Sequence, residues 1–548
     1  MKKLILLSFV LLSSSLFAQK TVDRPKLVVG IVIDQMRWDY LYRFHDRYSD
    51  KGFKRMMKEG FSFDNCMLNY VPSYTAIGHS TVYTGSVPAI HGIAGNDFID
   101  QKTGKHIYCT EDSNVKGVGP IDPENAAGKM SPLNLKVTTI TDQLKFATNF
   151  RSKVIGVSLK DRGSILPAGH AANAAYWFDY KSGNWISSTW YMEKLPKWLE
   201  DYNAKKMPEK YLSQNWNPKY PIPTYIQSTE NGNGKYEHGF KGLDVPALPL
   251  KTSELMKQNG VGLIAWTPYG NTTTLDVAKL AIENEKLGAN SDTDFLAVSF
   301  SAPDKIAHHF TVNSIFVEDT YLSLDQELGE FFTYLDKKIG KGKYLAFLTA
   351  DHAGTPNARF MNEHKIPGSV WMTTQETEQL NKEMEKLFGE KDLILSLMNY
   401  QVHFNFAKIA KEKIDLDKLK KEVIKKLENH KGVAFVADMK SISTATIPQV
   451  IREKIINGYN RELSGEIQII LKSGWYEFEY LDPSKGGTHG TWTPDDAHIP
   501  FLLMGHGVKP GRSNKEVYMT DIAPTLASLL KIAIPNGSIG KSVYPVSP

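Results

Sequence analysis

Three apolar runs in this chain end on a carboxylate: GIVID at Asp34, AVSFSAPD at Asp304, and LAFLTADH at Asp351 with His352 directly behind it. One Asp after a strand is ordinarily a helix cap or a turn residue. Three of them point elsewhere, because ligands of open α/β sheets bind beyond the carboxyl ends of the strands. His308 follows Asp304 by four residues, a spacing that puts carboxylate and imidazole on one helix face, able to share a cation. The adjacent His309 then points elsewhere and reads as an ordinary surface histidine. His489 lies between glycines in KGGTHGTWTPDDAHIP, a loop where missing side chains permit close backbone approach. Three Asp and three His form the N/O ligand set of borderline divalent ions such as zinc. Two such ions about 4 Å apart stabilise both the attacking and the leaving oxygen of a phosphoryl transfer. Thr75 stands where a helix begins, in NYVPSYTAIGHSTVYTG. N-capping is the common role of a Thr there. Beside a metal pair, its hydroxyl becomes a nucleophile aided by the helix dipole. His79, four residues on, has the spacing of a general base, yet metal activation leaves it packing or ligand support instead.

Such residues need a rigid sheet behind them. KLVVGIVI (Lys26 to Ile33), KVIGVSL (Lys153 to Leu159), DFLAVSF (Asp294 to Phe300), KYLAFLT (Lys343 to Thr349) and IPFLLMG (Ile499 to Gly505) read as buried strands of a mostly parallel sheet. Helical patterns lie between them, which makes the chain α/β and layered. Near the C-terminus, Thr520 or Asp521 is the N-cap expected for a helix whose face carries Ile522, Leu526 and Leu529. Two insertions are expected. Residues 168–250, rich in Trp, Tyr, Pro, Asn and Lys without periodicity, read as surface loops or a cap over a site. Residues 393–471 read as a strand, helix, strand unit: Val402, Phe404 and Phe406 alternate, Leu416, Leu419, Val423 and Leu427 form a stripe stopped by Gly432, and VAFVA follows. Residues 20–548 are therefore expected to form a single catalytic domain with insertions.

The 548 residues carry 65 basic and 60 acidic side chains with no like-charge block, so nucleic acid is not an expected partner. Residues 1–19 read as a secretory signal peptide: Lys2 and Lys3, an apolar run too short for a membrane span, then small residues near Ala18 and cleavage around Gln19. A periplasmic or secreted protein without a membrane span is expected. Cys66 and Cys109, the only two cysteines, pair in an oxidising compartment or stay buried and free. Nothing in the sequence specifies an oligomeric state.

The motifs IVIDQMR, YVPSYTAIGHSTVYTGSVPAIHGIAGND, SLKDRGSILPAGH, DKIAHH, TADHAG and THGTW…HIPFLLMG, in this order, resemble the alkaline phosphatase superfamily, and within it the periplasmic, calcium-independent PafA-type branch. The resemblance runs from about Lys26 to the end. It implies an alkaline phosphatase-like layered fold, a central sheet flanked by helices with inserted cap regions. It implies two zinc ions per chain, one on Asp304, His308 and His489, the other on Asp34, Asp351 and His352 with Thr75. Asn96 and the pair Lys160 and Arg162 would hold the phosphoryl oxygens, a neutral donor beside a point charge and a guanidinium fork. Lys160 would occupy the space where some relatives bind magnesium, so no third metal is expected. The implied reaction is hydrolysis of phosphate monoesters through a phosphothreonine on Thr75, the leaving alkoxide stabilised by the first zinc and a hydroxide on that zinc releasing phosphate. Alternatives are a nucleotide pyrophosphatase/phosphodiesterase of the same superfamily and a non-catalytic phosphate or metal binder. The Cys/Ser-x-Pro-x-Arg signature of sulfatases is absent around Thr75.

Overall fold

The apolar runs have no polar face, so each must be covered on both sides, and they assemble into one eleven-stranded sheet. The computed structural model describes residues 22–478 and 482–544. The expected signal peptide lies outside the described residues. In chain order the strands are β1 (Leu27–Ile33), β2 (Phe61–Met67), β3 (Gly117–Val118), β4 (Val154–Ser158), β5 (Ala174–Asp179), β6 (Asn184–Ser188), β7 (Asp294–Phe300), β8 (Tyr344–Thr349), β9 (His498–Gly505), β10 (Gly511–Ser513) and β11 (Val517–Tyr518). Their spatial order is β10, β2, β9, β8, β1, β7, β4, β5, β6, β3, with β11 also on β2.

The five strands β8, β1, β7, β4 and β5 are mutually parallel. On one side β9 pairs antiparallel with both β8 and β2, and on the other β6 runs antiparallel to β5 and β3. The last expected strand is thus present but reversed. Register matters more than order for the site. Val32 of β1 pairs with Ser299 of β7 and with Thr349 of β8, so Asp34, Ser301 and Asp351 leave the sheet at one edge.

Every residue of β1 is buried. At about 1.5–3 kcal/mol for each fully buried large aliphatic side chain, this strand anchors the centre. Helices cover both faces, as βα alternation requires. Those that matter here are α1 (Thr75–Thr84), α2 (Asp161–Ala168), α3 (Tyr269–Asn284), α4 (Ala302–Phe310), α5 (Ile315–Leu335), α6 (Leu416–Glu428) and α7 (Ile522–Leu530).

The stretch expected to be loop from residue 168 differs at its start. AAYWFD and NWISS form β5 and β6, with all of β5 buried. Without alternation, a strand covered on both faces gives no period to read. The later residues, up to 250, hold short helices and turns around Trp216 and Leu250. Residues 394–471 build a separate four-stranded sheet with its own core, in which Leu419, Val423 and Leu427 of α6 pack on Val402, Phe404 and Ile467. Phe406, expected to continue the first strand, instead opens a helix capped by the Asn405 side chain. Cys66 and Cys109 are both buried and free.

Candidate active site

Helix α1 carries Thr75 at its first position. Tyr74 is the N-cap in extended conformation with no side-chain cap bond, and Gly85 closes the helix with φ of 65°. Thr75 therefore does not cap the helix. The Asn96 Oδ1 accepts from the Ala76 N–H at 2.9 Å, so a distant side chain satisfies that first-turn donor. The positive end of the helix dipole is left facing the Thr75 hydroxyl. Contact between α1 and the β8 edge is close: a Cβ on Gly78 would lie 2.1 Å from the Asp351 carbonyl oxygen. Only glycine lets the helix sit there.

The six expected ligands fall into two groups, Asp304, His308 and His489, and Asp34, Asp351 and His352, in each of which the ligand atoms lie within 4.8 Å of one another. Asp304 Oδ1 is 3.1 Å from His308 Nε2 and 3.7 Å from His489 Nε2. His352 Nε2 is 3.4 Å from Asp351 Oδ2 and 3.6 Å from Asp34 Oδ1. The groups touch through His352 and His489, whose rings stack at 3.6 Å.

Hydrogen bonds aim these atoms. His308 Nδ1 lies 2.8 Å from the Gly487 carbonyl, His352 Nδ1 2.9 Å from that of Ala353, and His489 Nδ1 2.7 Å from that of Ser73. A carbonyl only accepts, so each Nδ1 holds the proton and each Nε2 presents a lone pair. The carboxylates are divided in the same way. Lys160 Nζ donates to Asp34 Oδ2 and Asp304 Oδ2, both at 2.6 Å, and the backbone N–H groups of Gln35 and His352 donate to Asp351 Oδ1. The other oxygens, Asp34 Oδ1, Asp304 Oδ1 and Asp351 Oδ2, are buried and accept no hydrogen bond. Buried polar atoms left unpaired are costly. Here three such oxygens face three imidazole lone pairs, an arrangement that a cation in each group satisfies.

Electrostatics agree. Burial, then the like charges of Asp304 and Asp351, push the Asp34 carboxyl well above the usual range. Burial works against ionisation of Asp304 too, but His308 and Lys160 hold it well below. Burial, then His352 and His308, keep the His489 pKa well below the ordinary imidazole value. Burial also lowers the His352 pKa, so His352 and His489 favour the neutral form that ligates a metal.

Thr75 Oγ1 lies at the seam, 3.4 Å from His352 Nε2 and 3.3 Å from Lys160 Nζ. Lys160 precedes α2, and Arg162 sits in its first turn. The Arg162 guanidinium donates to the Tyr108 hydroxyl at 2.9 Å, while its Nε has no partner. Asn96 and Arg162 belong to one wall, because Asn96 precedes the hairpin strand Asp97–Ile99, whose partner His106–Tyr108 carries Tyr108. Thr75 and Lys160 are buried, whereas the side chains of Arg162 and His308 stay 17% and 19% exposed.

His79 is not aimed at the hydroxyl. Its Nδ1 lies 2.9 Å from the Thr75 carbonyl and 3.4 Å from Asp351 Oδ2, and its Nε2 is 2.7 Å from Ser299 Oγ. It contacts Asp351 and Ser299 rather than the Thr75 hydroxyl. His309, read from the sequence as a surface residue, instead stacks on Phe240 beside His308 and lines a cavity. Lys305 has no sequence pattern of its own, yet burial, then the charge of Lys160, pushes its ammonium down to about 8. Its position next to Asp304 was the only available signal.

Together the layered fold and the two three-residue groups define an α/β protein of the alkaline phosphatase superfamily. The type I phosphodiesterase / nucleotide pyrophosphatase family matches residues 28–492, and the chain belongs to it. Two relatives are similar along nearly the whole length. A Myroides odoratus protein named calcium-transporting ATPase is 53% identical over 97% of this chain and 96% of its own. Alkaline phosphatase PhoV of Synechococcus elongatus is 51% identical over 96% and 94%. The crystal structure of wild-type alkaline phosphatase PafA superposes with a TM-score of 0.92 at 46% identity, covering 96% of this chain and 99% of that one.

Proposed function

We propose that this chain hydrolyses phosphate monoesters of small molecules through a phosphothreonine on Thr75, with two zinc ions per chain, in the periplasm or outside the cell. The observation that carries this reading is the position of the Thr75 hydroxyl, at the dipole end of α1, beside His352 of one group and beside Lys160, whose ammonium bridges Asp34 and Asp304 of the two groups. Asp304, His308 and His489 would hold one ion, and Asp34, Asp351 and His352 the other, with Thr75 beside them. Bound there, the ions supply Lewis acidity to the reacting oxygens.

The chain's own residues do the rest. The Thr75 oxygen attacks phosphorus and its proton leaves, the ester bond breaks, and the alcohol departs with a proton. Water then attacks the phosphothreonine and frees phosphate, restoring the hydroxyl. Lys160 and Arg162 offer two cations to the non-bridging oxygens, and the Asn96 side-chain amide, tethered by its oxygen to Ala76, offers a neutral donor. Their combined charge suits a dianionic monoester.

The family description favours a second reading, a diesterase or nucleotide pyrophosphatase. ATP hydrolysis, in the name of the Myroides relative, is a phosphoryl transfer of the same kind. Among the described residues no helix is long and apolar enough to cross a membrane. Rates for a monoester, a diester and a sulfate ester on one preparation decide among these: monoester turnover must dominate. Bound metal without turnover would leave a phosphate or metal binder.

A further inference from the structure

We propose that the cavity beside His308 is a leaving-group pocket for alcohols that carry a planar aromatic ring, so that it sets substrate preference without touching phosphorus. This rests on the monoesterase reading above. The cavity, about 390 Å³, is lined by Phe240, Leu263, Trp266, His308 and His309 among others. That volume lies within the range of small-ligand sites.

Helix α4 joins the cavity to the chemistry. Asp304 and His308, four apart, turn their side chains to one ligand group, while Lys305 and His309, each one residue further, fall on the next stripe of the same helix. His308 is thus a shared wall: its Nε2 faces Asp304 and its ring borders the cavity. An alcohol leaving on the Asp304 side departs toward this space.

The walls are flat and fixed. Phe240 stacks on His309 with centroids 4.4 Å apart and meets Phe310 edge-on at 5.8 Å. The Phe240 turn is closed by reciprocal backbone bonds with Leu243 and tied to α4 by the His238 N–H donating to the His309 carbonyl. Lys305 Nζ lies 5.4 Å from the Trp266 centroid, a cation–π contact that holds the indole. Rigid aromatic faces around a small volume reward a planar ring more than a flexible polyol.

The test compares kcat/KM of the metal-loaded full-length protein, with Trp266→Ala and Phe240→Leu, on phenyl phosphate, a nucleoside monophosphate and glycerol phosphate. Each variant is judged as a ratio to the unaltered protein, which removes the intrinsic difference between phenoxide and alkoxide leaving groups. We expect roughly a tenfold loss, the worth of one aromatic contact, on an aromatic substrate, with glycerol phosphate changing less than about twofold and Trp266→Phe restoring most of the loss. A loss confined to phenyl phosphate places the ring directly on the ester oxygen, and one confined to the nucleotide places it beyond a sugar; either supports the pocket. Equal losses on all three substrates, or none, overturn it while leaving the monoesterase reading intact. No turnover of any ester by the unaltered protein overturns both.

Discussion

The rings of His352 and His489 lie face to face, 3.6 Å apart and 15° from parallel, although each serves a different ligand group. Their outer nitrogens are tied to the carbonyls of Ala353 and Ser73, so neither ring can turn without breaking a backbone contact. Both groups therefore share one rigid partition, and damage on one side should be felt on the other.

Elemental analysis tests that coupling. The active protein is expected to hold close to two zinc ions per chain. His489→Ala is expected to lose more than one equivalent, because the His352 ring loses its stacking partner along with the ligand. A clean loss of one ion with the other unchanged would show the groups to be independent.

Thr75→Ala is expected to abolish trapping of phosphate on the protein and to cut monoester turnover by at least about a thousandfold, the scale of removing a covalent nucleophile. Its melting temperature should scarcely move, since Thr75 makes no capping bond. Phosphate trapped on another residue would relocate the nucleophile.

Lys160→Ala and Arg162→Ala are expected to slow monoester cleavage far more than diester cleavage. Each charged contact is worth about 1.5–3 kcal/mol, or roughly ten- to hundredfold. Equal losses on both ester types would contradict recognition of a dianion. Lys160→Ala also removes the cation between Asp34 and Asp304, so its metal content should be measured alongside.

Gly78→Ala asks whether close packing of α1 on the Asp351 backbone is required. The added carbon meets a carbonyl oxygen at 2.1 Å, so the helix must shift, at an expected cost of about 1–3 kcal/mol. Urea unfolding and zinc content should fall together.

Glu327 on α5 gives a pH signature away from the site. Burial pushes its carboxyl from 4.5 up to about 7, with Thr272 as its hydrogen-bond donor. The folded state thus prefers the proton, and stability falls as pH rises from about 4.5 through about 7. Glu327→Gln is expected to raise the melting temperature at pH 8 and leave it nearly unchanged at pH 5; the opposite order would contradict the shift.

The parallel core was legible because β1, β4, β7 and β8 are short apolar runs, and the three clustered carboxylates were legible because each follows such a run. The i, i+4 pair of Asp304 and His308 needed only a helix. By contrast β5 was unreadable, since a strand buried on both faces has no polar beat. The direction of β9 was equally hidden, because nothing in IPFLLMG distinguishes a parallel from an antiparallel neighbour. The roles proposed for Asn96, Lys160 and Arg162 came from motif resemblance alone. What ties Asn96 to Thr75 is a bond across α1, and what orients Arg162 is Tyr108, neither of which leaves a spacing to read. The carbonyls that set the three histidine tautomers are invisible in sequence for the same reason.

β1 is made early yet lies at the centre of the sheet, gripped by β7 and β8, which follow in the chain only after residue 293. Asp34 thus waits through most of synthesis for Asp351, and Asp304 waits for His489. Pairings this distant in sequence close slowly. The group of Asp34, Asp351 and His352 has all its members once residue 352 is made, whereas Asp304 and His308 lack their third until residue 489, so a chain interrupted between the two would carry one group whole and the other open.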